Sequence, residues 1–274
     1  MKKNNSILLS TPYILWMLAF TLIPLGVVAY YALTDPTTGA FTLNNVQHLS
    51  MYWGVLWESI LYSLISAFIC LLLGYPVAYY IAHRGPVAQK ILYMLVMLPM
   101  CMSFLLRTLA WVGLLQDTGI INTLLGAVGI GPIRMIRTPA AVVLGMVYNY
   151  LPYMILPLYS TIVKINPRLI EAAEDLGCNT FQVFRRVTLP LSIPGILSGI
   201  TMVFVPAVST FYISQKLGST NTVLIGDVIE RLFKQANNPN LGAALSLVLM
   251  ALVFVCTGLM NRFSGDSEEG GVIV

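Results

Sequence analysis

The sequence predicts an all-α integral membrane protein with six transmembrane helices, on two observations. Only 9% of the 274 residues are charged, 57% are apolar and the mean hydropathy is +0.81. A soluble domain carries about a quarter charged residues. The charges are also bunched, leaving uncharged windows over 4–34, 59–83, 91–106, 138–163, 187–215 and 235–261. A helix needs about 20 apolar residues to cross the hydrocarbon layer. Five windows meet that length, and 91–106 meets it if its helix starts near Gln89 and runs past Arg107 towards Leu115. The expected spans are 9–33, 60–82, 89–114, 139–162, 190–213 and 241–261, in one membrane domain over 9–262.

The elements follow in order. Lys2 and Lys3 precede an apolar run too long for a signal-peptide core and followed by no A-x-A site, so this run is the first helix after a short terminus, 1–8. The aromatic-rich loop 34–58 suits a membrane interface. The turn His83–Pro86 closes the second span. The loop "DTGIINTLLGAVGIGPIRMIRTP" after the third span has four Gly and two Pro, which folds it back with one short helix. "VLIGDVIERLF" before the sixth span has the spacing of a short amphipathic helix. The polar, Gly-rich tail 263–274 is expected to be disordered. Prolines at Pro24, Pro76, Pro99, Pro152, Pro157, Pro194 and Pro206 bend or interrupt spans. They adapt helix shape or, at Pro152, Pro157 and Pro206, act as hinges. Gly195, Ser198, Gly199, Gly242, Ala243 and Ala244 permit close helix packing.

Lys and Arg near helix ends set orientation. With both termini cytoplasmic, the inner face carries nine (Lys2, Lys3, Arg84, Lys90, Lys164, Arg168, Arg185, Arg186, Arg262) and the outer face six. The net charge of +4 therefore reports topology and implies no nucleic-acid partner. Cys70, Cys101, Cys178 and Cys256 form no metal-type pair or disulfide framework.

The loop 164–189 between the fourth and fifth spans is the most informative stretch. Asn166-Pro167 is a helix start, with Asn as cap and Pro at the first helical position. Leu169, Ala172, Ala173 and Leu176 share one face, while Arg168, Glu171, Glu174 and Asp175 fill the other. Gly177 ends the helix in the left-handed region. Asn179 and Gln182 form a capping box for a second helix carrying Phe181, Phe184 and Thr188. The stretch is a helix, a glycine turn and a helix, with Arg185 and Arg186 at the membrane re-entry.

"EAAEDLG", nine residues, then Val187, Leu189 and Pro190 resemble the EAA loop of binding-protein-dependent ABC-importer permeases, E-A-A-x3-G-x9-hydrophobic-x-L-P. The likeness extends over nearly the whole chain. "PIRMIRTPAAVVLGMVYNYLPYMILPLYSTIVKINPRLIEAAEDLG" and "VFVPAVSTFYIS" resemble the spermidine/putrescine branch, on its B-type side. Cys178 stands where the branch more usually has Ala. The resemblance implies a type I importer permease fold in the cell membrane of a prokaryote, with the loop as a coupling helix. It implies Glu171 as a polar contact to a separate ATPase, Ala172 and Ala173 as close-approach residues, Gly177 as the turn, and Leu189 and Pro190 as the re-entry. It also implies a C-type permease as heterodimer partner, two ATPase subunits holding ATP and Mg, and an extracellular polyamine-binding protein. Related permeases carry ferric iron, aminoethylphosphonate or opines.

The chain has no G-x-x-x-x-G-K-[ST] phosphate loop, so an ATP motor must be another subunit, and no cofactor is expected here. Candidate pathway residues are Tyr148, Tyr153 and Tyr212, whose rings attract ammonium groups, Asp227 in the last outer loop, and Arg107, the one charge inside a span. The tyrosines serve packing or the path; Arg107 snorkels to headgroups or gates. A proton-coupled transporter needs ionisable groups at mid-membrane and is disfavoured. An intramembrane enzyme is disfavoured by the absence of a catalytic constellation around His48 or His83.

Overall fold

The computed structural model describes residues 12–13, 15–35, 39–42, 44–129, 131–220, 222–236 and 238–269. Its helices are α1 (Leu15–Ala32), α2 (Trp53–Ala82), α3 (Pro86–Met97), α4 (Phe104–Leu115), α5 (Ile120–Ala127), α6 (Pro139–Ile162), α7 (Pro167–Asp175), α8 (Thr180–Val183), α9 (Ile193–Val208), α10 (Tyr212–Leu217), α11 (Ile225–Lys234) and α12 (Pro239–Glu269). Among the described residues extended pairing is limited to one bridge, Thr34 to Phe41. Among the described residues five helical stretches are long and apolar enough to cross a membrane, one of them α4 continued through α5 (Phe104–Ala127), or six if the bent pair before and within α9 counts as one span.

The chain divides into two compact units. The first combines residues up to Gly54 with Val228–Leu252. In it Ala32 of α1 packs with Ala243 and Ala244 of α12, bordered by Val28, Leu49 and Leu247. Small side chains allow that approach. Asn240 Nδ2 donates to Thr34 O at 2.6 Å, and Asn45 Nδ2 donates to Ala32 O and Thr34 O. These amides satisfy the carbonyls that the end of α1 leaves open.

The second unit, Val55–Asp227 with Val253 onwards, is built around α6. With 24 residues, α6 is about 36 Å long, enough to cross the bilayer. Thr138 caps it, accepting from Ala141 N at 3.1 Å, and Pro139 takes the first turn. Val142, Met146, Met154 and Leu158 are fully enclosed. Glycines set how closely neighbours approach. A Cβ on Gly199 of α9 would sit 2.6 Å from Met154 Sδ, and one on Gly195 2.6 Å from Thr161 Oγ1. Tyr75 of α2 shares a 2.9 Å hydrogen bond with Ser192.

Four expectations are corrected. The third span is not one helix. Pro99 lacks an N–H and crowds the preceding turn, so α3 tightens into a 3-10 turn at Leu98–Cys101, and the chain extends at Met102 before α4. The fifth span ends at Val208, not near 213, and Leu189–Leu191 belongs to a segment bent 62° from α9. Prolines at 190, 194 and 206 interrupt the backbone ladder there. The second span starts at Trp53 and takes in Glu58. Instead of ending at 261, the sixth continues to Glu269, because the Ser- and Glu-rich start of the tail is compatible with a helix. The expected terminus 1–8, the first residues of the first span and 270–274 lie outside the described residues.

Candidate functional site

The loop after α6 is held by local capping. Asn166 Oδ1 accepts from Arg168 N at 3.1 Å and Pro167 fills the first helical position of α7. At the other end Gly177 takes φ +82°. Gly177 N donates to Glu174 O at 2.9 Å and Cys178 N to Ala173 O at 3.1 Å. This pair of bonds is the Schellman closure, which needs a left-handed residue. The two bonds of the Asn179–Gln182 capping box are both 2.9 Å and start α8.

The two halves of this loop meet the rest of the unit differently. Val183 and Thr188 are buried, and Phe184 sits edge-on to Tyr75 and Tyr79 at 5.6 and 6.1 Å. A π-turn at Phe184–Thr188 then leads to Leu189, half-buried, and Pro190, exposed. By contrast α7 buries no residue. Glu171 and Ala172 are exposed, Ala173 is half-buried and Leu176 is 86% exposed. Phe181 is 70% exposed, so the face expected to unite Phe181, Phe184 and Thr188 is divided. The outcome is an amphipathic helix held at both ends with its apolar face bare.

The five pathway candidates do not form one cluster. Phe104 lies 6.5 Å from Tyr150 and 6.3 Å from Tyr212, and Tyr150 lies 6.3 Å from Tyr153. Tyr150 donates to Pro206 O at 3.3 Å and lies within electrostatic reach of Arg107. Tyr148 stands apart against Trp111 at 5.4 Å, and Tyr212 lies under Lys216. Arg107 is 5% exposed, with Nε and Nη1 enclosed and without hydrogen-bond partners among the described residues. Asp227 is 3% exposed, and its Oδ2 accepts from Leu224 N at 3.1 Å. It therefore caps α11 and is not displayed to solvent, and Glu230 pairs with Lys234 at 2.8 Å.

Two features escaped sequence reasoning. Phe104 joins Tyr150 to Tyr212, and Asn149, fully buried, donates to Gly145 O while its Oδ1 is enclosed. The signal for Asn149 was its polarity within an uncharged window. No group of three His, Cys, Asp or Glu placed to hold a metal occurs among the described residues.

The model of the family "Binding-protein-dependent transport system inner membrane component" matches residues 71–265. The chain is 42% identical over 263 residues to the Haemophilus influenzae spermidine/putrescine transport system permease protein PotB, covering 90% of this chain and 92% of that protein. It is 36% identical to PotB of Escherichia coli K12, over 85% and 88% of the two chains. Its fold is similar to that of a bacterial ABC transporter involved in importing the acidic polysaccharide alginate, with TM-score 0.74 and 19% identity over 96% of each chain. A MetNI methionine ABC transporter matches with TM-score 0.59 and 19% identity over 80% of this chain and 98% of the other. The chain belongs to the binding-protein-dependent transport system inner membrane component family.

Proposed function

We propose that this family member is the B-type permease subunit of an ATP-driven importer of polyamines, putrescine or spermidine. One observation carries the mechanism: an exposed EAA helix, α7, rigidly capped at both ends and clasped to the membrane unit through Phe184 and Thr188. The substrate class rests on likeness to the PotB permeases over most of the chain.

In this reading a C-type permease completes the translocation pathway, and an extracellular binding protein delivers the polyamine. Two copies of an ATPase subunit bind ATP and Mg in the cytoplasm. Ala172 and Ala173 let α7 seat closely in a groove of the ATPase. Glu171 fixes its register by a peripheral charge contact, and Gly177 makes the turn that returns the chain to the bilayer through Leu189 and Pro190. The Tyr150–Phe104–Tyr212 ring group, with Tyr153, offers aromatic faces to a cation. Both termini are cytoplasmic, following the Lys and Arg asymmetry.

The test is uptake of radiolabelled putrescine and spermidine by cells lacking their own polyamine importers and supplied with all subunits. Saturable, ATP-dependent uptake of either supports the reading. Import of ferric iron, aminoethylphosphonate or an opine without polyamine uptake overturns the substrate. Uptake driven by a proton gradient without ATP overturns the mechanism. The orientation is checked separately: an impermeant thiol reagent added outside should label Gln235→Cys and spare Thr180→Cys.

A further inference from the structure

A groove of about 730 Å³ opens between the start of α3 and the end of α6. Because α6 is about 36 Å long and the hydrocarbon layer about 30 Å thick, its end at Ile162 stands at headgroup level. On the α3 side Val87, Lys90, Ile91 and Met94 recur at i, i+3, i+4 and i+7, which is one helix face, and all four are exposed. Val163 and Lys164, also exposed, supply the α6 side. The wall between them is fixed by hydrogen bonds. Tyr159 Oη donates to Gln89 Oε1 at 3.3 Å, and Gln89 Nε2 donates to Ala82 O at 3.0 Å and Arg84 O at 2.8 Å. Tyr93 packs on Tyr159 at 5.4 Å. The groove is therefore formed before anything enters it.

Its chemistry has two parts. At one end stand two ammonium groups, and among the described residues neither an acidic lining residue nor an ion-pair partner accompanies them. The start of α3 adds the same sign. Gly85 offers it no side-chain cap, and the first turn-closing N–H is that of Gln89, donating to Gly85 O at 2.9 Å. Further along α3, Ile91 and Met94 continue a bare apolar stripe, about 10 Å long from Val87 to Met94. A soluble anion would satisfy the lysines and leave this stripe in contact with water. A phospholipid of net negative charge satisfies both, with its phosphate at the lysines and a chain on the stripe. Lysine stems lie along apolar surface while their heads reach the phosphate level, and basic pockets between membrane helices hold such headgroups.

We infer that this groove binds an anionic phospholipid, with its phosphate against Lys90 and Lys164 and an acyl chain along Ile91 and Met94. The inference goes beyond the proposed function and does not depend on the solute carried.

The assembled transporter is reconstituted in phosphatidylcholine vesicles containing phosphatidylglycerol with a photoreactive acyl chain, and adducts are mapped by peptide mass spectrometry. They should fall on residues 86–94 and 159–164. Lys90→Gln with Lys164→Gln should reduce them about fivefold or more, as expected for two lost lysines at the membrane surface. Lys90→Arg with Lys164→Arg should retain them, and Lys234→Gln, exposed on α11, should leave them unchanged. A phosphatidylcholine probe with the same chain should label the groove weakly and the rest of the lipid-facing surface equally in all variants, which checks their folding. Soluble glycerophosphoglycerol should not compete. Equal groove labelling by the two lipid probes, or labelling indifferent to the Gln variants, would overturn the inference and reduce the groove to ordinary lipid contact. Labelling in the chain alone that vanishes in the assembled transporter would overturn it by placing a partner subunit over the groove. Competition by glycerophosphoglycerol would overturn it in favour of a soluble anion. None of these outcomes alters the polyamine uptake assay, which is scored separately.

Discussion

α7 and α11 are short amphipathic helices of nine and ten residues, each with an apolar and a charged face. Their surroundings separate them. On α11, Ile225, Val228 and Leu232 are buried, Asp227 caps the start, and Ile225 N donates to Ser59 Oγ at 2.7 Å. On α7 no side chain is buried, and order comes from Asn166, the Gly177 closure and the clasped half-loop beyond it. Burying a Leu or Ile is worth roughly 1.5–3 kcal/mol. A nine-residue helix is too short to stand alone in water. A chain that orders such a helix by caps while leaving its apolar face bare has prepared that face for another surface. α11 uses its face inside the chain, whereas α7 leaves its own uncovered, and the proposed function assigns that face to the ATPase.

The largest expected effect tests this difference directly. Leu232→Asp puts a carboxylate into the buried face of α11 and should destabilise the protein by about 3 kcal/mol or more. Leu176→Asp on α7 should shift stability by no more than about 0.5 kcal/mol, because the position is open to solvent. Thermal melts of the purified permease pair without the ATPase, in detergent, give both values. Equal losses would mean that α7 is packed in the native assembly in a manner unrelated to ATPase docking.

Function should invert that ranking. Glu171→Lys and Ala172→Trp lie on exposed positions and should leave insertion, pairing with the second permease and melting intact. Polyamine uptake and substrate-stimulated ATP hydrolysis should fall tenfold or more. Gly177→Val should do the same and also loosen the loop. Nothing lies within 4 Å of a Cβ at that position, so the damage is conformational: φ +82° costs a β-branched residue more than the roughly 1–2 kcal/mol typical of left-handed backbone. Normal uptake in all three would reduce α7 to a solvated surface helix.

How much of this was legible in the sequence depends on how local each cause is. The loop could be read residue by residue because its caps are spelled within a few positions: Asn166-Pro167, Gly177, and Asn179 with Gln182. The helix Pro139–Ile162 also lies where its uncharged window placed it. The third span misled because hydropathy registers side chains while Pro99 acts through its missing N–H. The fates of Arg107 and Asp227 were hidden for another reason. Charge and position in the sequence suggested headgroups or a gate for Arg107 and attraction of a polycation for Asp227. In the fold Arg107 is 5% and Asp227 3% exposed, and burial by residues distant in the chain leaves no local pattern to read.

The smallest expected effect concerns the second cap of the loop. Asn179→Ala removes the acceptor for Gln182 N and uncouples the reciprocal bond from Asn179 N to Gln182 Oε1. Replacing such a cap costs about 0.5–2 kcal/mol, but here the cost is confined to α8. The buried Val183 and Thr188 and the half-buried Phe184 hold the loop from the membrane side and are untouched. Global melting should therefore move little. Local opening should rise, with hydrogen exchange at the Gln182 amide about tenfold faster for a 1.4 kcal/mol loss, since each such step is tenfold in an equilibrium. If α7 transmits motion through a stiff second half-loop, uptake should fall two- to fivefold, short of the loss expected from Glu171→Lys. Faster exchange with unchanged uptake would show that coupling passes through the Gly177 closure and α7 alone. A fall as deep as that of Glu171→Lys would show instead that the rigidity of α8, more than the face of α7, limits transmission.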